Sequence, residues 1–358
     1  MSADKADTAD TADKASAAPR RSPILRSIVR SAVICIAALA LFAVVLLVAG
    51  KDPLKAYADT FHYTLANAYG FSELLVRMIP LLLTAVAVAL PSRLGLINVG
   101  GEGQLYMGAW AASAGALLLP GLPVWVLLPL VTILGFLGGA AWAAIPGILR
   151  ARKLVNETIS TLLLNYVAPL IVSFFIYGPW RSAESSAYPQ SAAFSDAARL
   201  PSFFNTRIHA GLFIALAVLV LYSVLMERTR WGVQMRAIGG NAEAALRLGI
   251  PVAGYVVIAL AIGGGIAGLA GMGEVSGIHG RLRQGLSPGY GFTGFLIAWL
   301  AGGKPLGILL MAFLFAIITS AGDILQITQG LPYAVVNILL AMLLFIVLGR
   351  WSVQRSAG

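Results

Sequence analysis

Long apolar runs without a formal charge alternate with short charged segments along this chain. A helix rises about 1.5 Å per residue, so an apolar run of about 18 or more residues can cross about 30 Å of hydrocarbon. Long runs that contain no Asp, Glu, Lys or Arg include 31–50, 158–180, 248–273, 284–303, 305–322 and 324–349. This pattern predicts an all-α polytopic membrane protein.

Ten helical spans fit the pattern, and ten spans place both termini on one side of the membrane. Of the Lys and Arg side chains, 17 fall on the N-terminal side and 7 on the other, with Arg77 inside a span. The positive-inside rule then favours cytoplasmic termini. The predicted spans are 31–50, 73–92, 94–119, 123–147, 158–178, 209–227, 252–276, 287–302, 306–325 and 331–349.

Composition excludes a soluble protein, since hydrophobic residues make up 59% of the chain and charged residues only 11%, where a soluble domain has about a quarter. Residues 1–30 read as a disordered cytoplasmic tail, 31–350 as the transmembrane domain and 351–358 as a second cytoplasmic tail. The first run is too long for a cleavable signal, which predicts that it is retained as a membrane span. Cys35 is the only cysteine, which excludes a disulfide framework.

Two segments on the outer side are long enough to fold back on the surface. Residues 51–72 contain scattered aromatic side chains, typical of a membrane interface. Residues 179–208 are rich in Ser, Ala and Pro with mixed charge, which predicts a solvated periplasmic loop.

Glu102 is the only charged residue between Arg93 and Arg150, and it lies in the sequence GLINVGGEGQ at 95–104. In a helix over 94–119, Glu102 would lie about eight residues in, roughly 12 Å deep and near the bilayer midplane. An ionisable group there costs about 2.5–3.5 kcal/mol, so it should face a bundle interior or a wet cavity. Asn98, Glu102 and Gln104 are therefore candidate translocation-pathway residues. The alternative is a structural role, in which Glu102 links its helix to a neighbour by hydrogen bonds.

A two-turn helix is predicted at 241–248, within the cytoplasmic connection 228–251. Asn241 is a favourable N-cap, while Gly249 and the proline at 251 end the helix. So short a helix is marginal in water, and a plain connector would need fewer residues. We interpret it as a docking element for a cytoplasmic partner. The candidate coupling residues are Arg236, Gly239, Asn241, Ala245 and Gly249.

The sequence contains apparent motifs for nucleotide binding, but their position or spacing excludes that role, and no motif for catalysis or metal binding is found. The GGGIAG sequence at 263–268 matches a dinucleotide-binding pattern but lies inside a span, where its glycines instead predict close helix packing. The GGKP sequence at 302–305 lacks the spacing of a phosphate-binding loop. His62, His209 and His279 are isolated in the sequence, so no metal site is predicted. These observations predict a chain that is not an enzyme and holds no cofactor of its own.

Spans three and eight both open with glycine-rich sequence, GLINVGGEGQ from one side and GLSPGYGFTG from the other. Segments 148–168 and 324–344 are also loosely alike. Paired interrupted segments in inverted halves indicate a transport site near the midplane, which predicts an inverted repeat.

Four stretches carry a resemblance to a known family: GLINVGGEGQLYMGAWAA, ARKLVNETISTLLLNYVA, RTRWGVQMRAIGGNAEAALRLGIP and GYGFTGFLIAWLAGGKPLG. They resemble permeases of bacterial ATP-binding-cassette (ABC) importers for simple sugars, nucleosides and branched-chain amino acids, above all the nucleoside-type branch. Ile97 stands where that family more often has Phe. The resemblance implies a second permease subunit (identical or different), cytoplasmic ABC ATPases that bind the ATP, a periplasmic or lipoprotein substrate receptor, and a coupling role for 241–248.

The function expected from these observations is import of a nucleoside or related simple sugar by alternating access. Import of ribose-type sugars or branched-chain amino acids is an alternative. An ion-coupled secondary transporter is another, but its coupling site would need two or more intramembrane acids together, and Glu102, Glu274 and Asp323 are predicted to be scattered at different depths. Membrane lipid is an expected partner and nucleic acid is not.

Overall fold

The computed structural model describes residues 36, 39–183, 188–332, 334 and 338. Regular structure in these residues is helical, which confirms the all-α prediction, with a 3₁₀ turn at Asp196–Ala198 and a π-helix at Glu274–His279. The α-helices are α1 Leu39–Val48, α2 Pro53–Thr64, α3 Ala68–Ser92, α4 Gly101–Leu118, α5 Val124–Ala151, α6 Glu157–Tyr177, α7 Gly211–Arg228, α8 Arg230–Gly240, α9 Ala242–Arg247, α10 Val252–Gly273, α11 Tyr290–Leu300 and α12 Pro305–Gln329.

Six helices of the described chain are long and apolar enough to cross a membrane: α3, α5, α6, α7, α10 together with the π-helix, and α12. The chain is therefore a multi-pass membrane protein. Ten spans, the inside position of the termini and the inverted repeat remain predictions. The span predicted at 331–349 and the tails at 1–30 and 351–358 lie almost entirely outside the described residues.

The described residues fall into two compact units. The larger one, residues 55–336, contains α3 to α12 and is built around α10, which packs against α3, α4 and α5. The smaller one is described at residues 36, 39–54 and 338, and it contains α1.

Glycine pairs set the spacing between α10 and its neighbours. A Cβ at Gly268 would overlap the carbonyl oxygen of Gly135 in α5, and a Cβ at Gly108 in α4 would overlap the backbone of Gly268. Gly264 makes the same close approach to Gly139. The prediction of close packing at the GGGIAG sequence is confirmed.

Two of the predicted spans are broken near their starts. The helix α3 ends at Ser92 and α4 begins only at Gly101, so most of the GLINVGG stretch is not helical. The prediction that Glu102 lies eight residues into a helix is wrong, because it lies in the first turn of α4. Likewise, α11 begins at Tyr290, after the non-helical stretch 280–289. Glycine lowers helix propensity, which explains why both breaks fall in glycine-rich sequence.

The segment 179–208 was predicted to be a solvated loop, but from residue 188 onwards it packs against the rest of the chain. We call residues 188–208 the cover. Ser191 donates its backbone N–H to the carbonyl of Leu282 at 2.8 Å, and Leu200 donates to the carbonyl of Ser276 at 2.9 Å. Phe194 and the Leu200 side chain are buried. Apolar side chains among the polar ones hold the segment against 276–283, which composition alone did not reveal.

Candidate functional site

Glu102 lies where two helices begin. Its Oε2 accepts a hydrogen bond at 2.7 Å from the backbone N–H of Gly291 in the first turn of α11, while Glu102 itself lies in the first turn of α4. Helix N-termini carry unpaired N–H groups and partial positive charge, which stabilise a carboxylate. The side chain is 6% exposed, so these groups replace the water that burial removed.

The backbones of the two helices touch at this point. A Cβ at Gly291 would overlap the backbone of Gly101 and Glu102, so only glycine allows the carboxylate to reach its donor. The glycine-rich openings of spans three and eight, predicted as counterparts, thus meet in space.

Asn98 and Gln104 form a buried amide pair that shapes the break before α4. Asn98 Nδ2 donates to Gln104 Oε1 at 3.1 Å, and Gln104 Nε2 donates to Asn98 Oδ1 at 2.9 Å. Asn98 Oδ1 also accepts the N–H of Gly100 at 3.0 Å. Both side chains are almost fully buried, so in this conformation they hold the turn rather than face solvent.

A stripe of polar side chains on α6 forms hydrogen bonds with the backbone of the break between α3 and α4. Residues four apart share a helix face, and Asn165 accepts the N–H of Gly103 at 2.8 Å while donating to the carbonyl of Val99 at 2.8 Å. One turn earlier, Thr161 Oγ1 accepts the N–H of Val99 at 3.3 Å. Glu157, a further turn back, pairs with Arg150 at 2.9 Å. Side chains of α6 thus replace the hydrogen bonds that a continuous helix would make.

Sequence reasoning missed the stripe, although its signal is present. Glu157, Thr161 and Asn165 recur every four residues in a largely apolar helix. Polar groups at helical spacing inside a span indicate hydrogen bonding across to a neighbour.

We expect Asn165→Ala to lower the thermal midpoint of the purified permease by several degrees. The change leaves the N–H of Gly103 and the carbonyl of Val99 unpaired in a buried position, at a cost of about 1–3 kcal/mol for each group. Ser113→Ala is the control, because the buried Ser113 hydroxyl donates only to the carbonyl of Ala109 in its own helix. Equal midpoints for the two variants would show that α6 does not stabilise the break.

The predicted helix at 241–248 is present as α9, and its N-cap is confirmed. Asn241 accepts the N–H groups of Glu243 and Ala244, each at 3.0 Å, and Glu243 pairs with Arg247 at 2.9 Å. Gly249 has the positive φ of 81° that follows many helix ends.

The other candidate coupling residues hold this region to its own chain. Ala245 is buried, so it faces the permease rather than a partner. A Cβ at Gly239 would overlap the carbonyl of Arg93, and Arg236 donates to the carbonyl of Met226 at the end of α7.

The exposed surface of α9 combines the Glu243–Arg247 ion pair with two apolar side chains at and just after the end of the helix. Leu246 is 61% exposed and Leu248 is 79% exposed. Sequence reasoning did not single out either leucine, because inward and outward faces cannot be told apart on a helix of six residues.

Two adjoining cavities lie at the opposite end of the bundle from α9, where α10 ends and α7 begins. Their volumes are about 270 and 430 Å³, and Glu73, Arg77 and Asp323 line both. Arg77 forms an ion pair with Asp323 that joins α3 to α12, and Arg207 of the cover pairs with Glu73 at 3.0 Å. The charged side chains and histidine that line the smaller cavity are Glu73, Arg77, Arg207, Glu274, His279, Arg283 and Asp323.

These cavities correct the interpretation of the intramembrane acids as scattered. Glu274 and Asp323 line one cavity, whereas Glu102 lies apart from them at the junction of α4 and α11. Long-range packing of α10 against α3, and of α3 against α12, brings the acids together. A linear sequence does not reveal that convergence.

Two of the histidines are not isolated. His279 Nε2 lies 3.6 Å from Glu274 Oε2. Burial, with a further contribution from Arg207, lowers the pKa of His209 to about 4, so its imidazole is neutral at physiological pH. Its Nδ1 accepts the N–H of Gly211 at 3.1 Å, at the start of α7. Within the described residues, no three His, Cys, Asp or Glu side chains lie close enough to hold a metal ion.

Comparison with known proteins matches the chain to membrane transport proteins. The family model described as branched-chain amino acid transport system / permease component matches residues 70–348. A glucose ABC transporter permease protein of Haloferax volcanii is 37% identical over 90% of this chain and 88% of its own length. A nucleoside ABC transporter permease protein of Lactococcus lactis is 29% identical over 87% of this chain and 88% of its own length. A guanosine ABC transporter permease protein of Bacillus subtilis is 30% identical over 89% and 92%.

Proposed function

The chain belongs to the permease family of branched-chain amino acid-type transport systems, whose members are transport subunits rather than enzymes, and we propose that it imports a nucleoside or related simple sugar. The names of the relatives, which specify glucose, nucleosides and guanosine, support this class of solute. Branched-chain amino acids, named in the description of the family, are the second candidate.

The observation that carries the coupling part of the proposal is the exposed surface of α9. A capped helix fixed by buried Ala245 presents Leu246 and Leu248 outward. Exposed leucines on a rigid helix suit docking into a groove of another protein. A cytoplasmic ABC ATPase is the partner we propose for this surface.

In the proposed mechanism, this chain works with a second permease subunit, identical or different, and an external substrate receptor. ATP binding closes the partner ATPases, which push on α9 and on the 150–157 turn. The bundles then rock between an outward-open and an inward-open state in a bacterial inner membrane. The chain contributes no cofactor, because the ATPases bind the ATP.

We place the translocation pathway beside the junction of α4 and α11. Broken helices in membrane transporters line cavities or pack against protein, and their N-termini point at functional groups. Asn98, Glu102 and Gln104 set the geometry of this break. A movement that separates α4 from α11 would expose them to the pathway.

We expect Leu246→Asp to reduce uptake by the assembled importer at least tenfold while the amount of permease in the membrane is unchanged. The exposed side chain contributes little to the fold, but a buried charge at the proposed interface would weaken docking. Val233→Asp on α8 is the control, because Val233 is similarly exposed but lies outside α9. Uptake in proteoliposomes with a fixed ATPase concentration is the measurement. An equal loss in both variants would contradict docking on α9.

We expect the purified permease alone to hydrolyse no ATP, and uptake by the complex to require ATP rather than an ion gradient. The reason is that GGKP at 302–305 lacks the spacing of a phosphate-binding loop. Uptake that proceeds without ATP and follows a proton or sodium gradient would favour a secondary transporter instead.

A further inference from the structure

We propose that the two adjoining cavities are a binding site for the transported solute, and that the site recognises the hydroxyl-rich ring of a neutral sugar or nucleoside. The inference rests on the proposed function and adds the residues and the chemistry of recognition. The cavities lie at the end of the bundle away from α9, which is the outer end if α9 is cytoplasmic.

Acidic and basic side chains line the smaller cavity in equal number. Three acidic side chains and three guanidinium groups together offer both acceptors and donors of hydrogen bonds. Ionisable groups inside a membrane are costly and mark solute or ion pathways. Such a mixed set suits a solute with hydroxyl groups, which both donate and accept hydrogen bonds.

The site retains unused hydrogen-bonding capacity. Glu73 uses Oε2 to pair with Arg207, but its buried Oε1 has no partner among the described residues. The buried Oγ of Ser320, on the wall of the larger cavity, is also without a partner there. A buried polar atom left unpaired costs about 1–3 kcal/mol. Both oxygens are enclosed in this conformation, so a ligand hydroxyl would donate to either of them once the side chain turns towards the cavity.

The π-helix contributes three of the side chains that line the smaller cavity. Its wider turn, in which residues five apart pair, places Glu274 and His279 side by side on the cavity wall, together with Ile278. Such turns at the end of an α-helix occur frequently at functional sites.

The shape and lining favour a sugar ring over a branched alkyl side chain. The combined space falls in the range of ligand pockets, about 300–1,000 Å³. Tyr63 and Tyr69 line the larger cavity and offer flat surfaces for a ring or a base, while the smaller cavity is too densely charged for an alkyl group. Tyr290, which also lines the smaller cavity, is followed by Gly291, the donor to Glu102. The site therefore adjoins the junction of α4 and α11.

The test is binding of radiolabelled guanosine and glucose to the complete permease–ATPase complex without its receptor, measured by equilibrium dialysis. We expect saturable binding of at least one of them. Glu73→Gln should raise its Kd at least tenfold, and Ser320→Ala should raise it several-fold. Thr319→Val is the matched control, because Thr319 is as buried as Ser320 but its hydroxyl bonds only to the carbonyls of Phe315 and Ala316.

The outcomes separate this inference from the proposed function. If neither solute binds without receptor, or if Thr319→Val weakens binding as much as Ser320→Ala, the site is wrong even where the complete importer still takes up nucleoside or sugar. If leucine displaces the label at equal concentration, the assigned chemistry is wrong. If the complete importer with its receptor takes up no nucleoside or sugar at all, the proposed function itself fails. Should Glu73→Gln not fold, Ser320→Ala still decides the question.

Discussion

Gly268→Val is expected to abolish the folded permease, whereas Gly254→Val in the same helix is expected to leave it intact. At Gly268 a Cβ would overlap the carbonyl oxygen of Gly135, and the backbone of α4 lies against the other side at Gly108. Overpacking against side chains costs about 1–3 kcal/mol. Here the obstacle is backbone on two helices, so α10 would have to move away from both α4 and α5.

Gly254 is the matched control because an added Cβ there meets nothing within 4 Å. Both variants place the same β-branched side chain in α10, so the difference in helix propensity cancels. The measurement is the monodisperse fraction of detergent-extracted permease on size exclusion, together with its thermal midpoint. Similar yields and midpoints for the two variants would contradict the close packing.

The glycines of α10 show what the sequence could predict. Three consecutive glycines and a fourth three residues on are costly in a helix unless a neighbour needs the space, so close packing followed from the residues alone. Helix α9 followed in the same way, because its cap and stop signals are local.

The start of α4 shows what the sequence could not predict. An apolar pattern predicts where a helix can form, but the side chains that stabilise a break lie far away in the chain. Asn165 on α6 and Gly291 on α11 satisfy the groups around Glu102. The same limit explains the cover at 188–208, whose hydrogen bonds run to residues about 80 to 90 positions later.

Glu102→Leu is expected to reduce the amount of assembled permease severely, and Glu102→Gln much less. Leucine leaves the N–H of Gly291 unpaired at a buried helix start, and it removes a charge-assisted hydrogen bond of about 1.5–3 kcal/mol. Glutamine keeps an acceptor of the same reach but loses the charge that two helix N-termini stabilise. Membrane yield and thermal midpoint measure this structural part of the effect.

Uptake per assembled complex separates the structural role of Glu102 from a role in the pathway. If the carboxylate only joins α4 to α11, Glu102→Gln will transport at the wild-type rate once the complex has formed. If the charge also acts during translocation, uptake by Glu102→Gln will fall several-fold at an unchanged amount of complex. Glu102→Cys in a Cys35→Ser background adds a direct test: because the position is buried in this conformation, we expect an aqueous thiol reagent to label it only when ATP drives the complex through its cycle. No labelling in any nucleotide state would place Glu102 outside the pathway, since a residue that solvent never reaches cannot contact a hydrated solute.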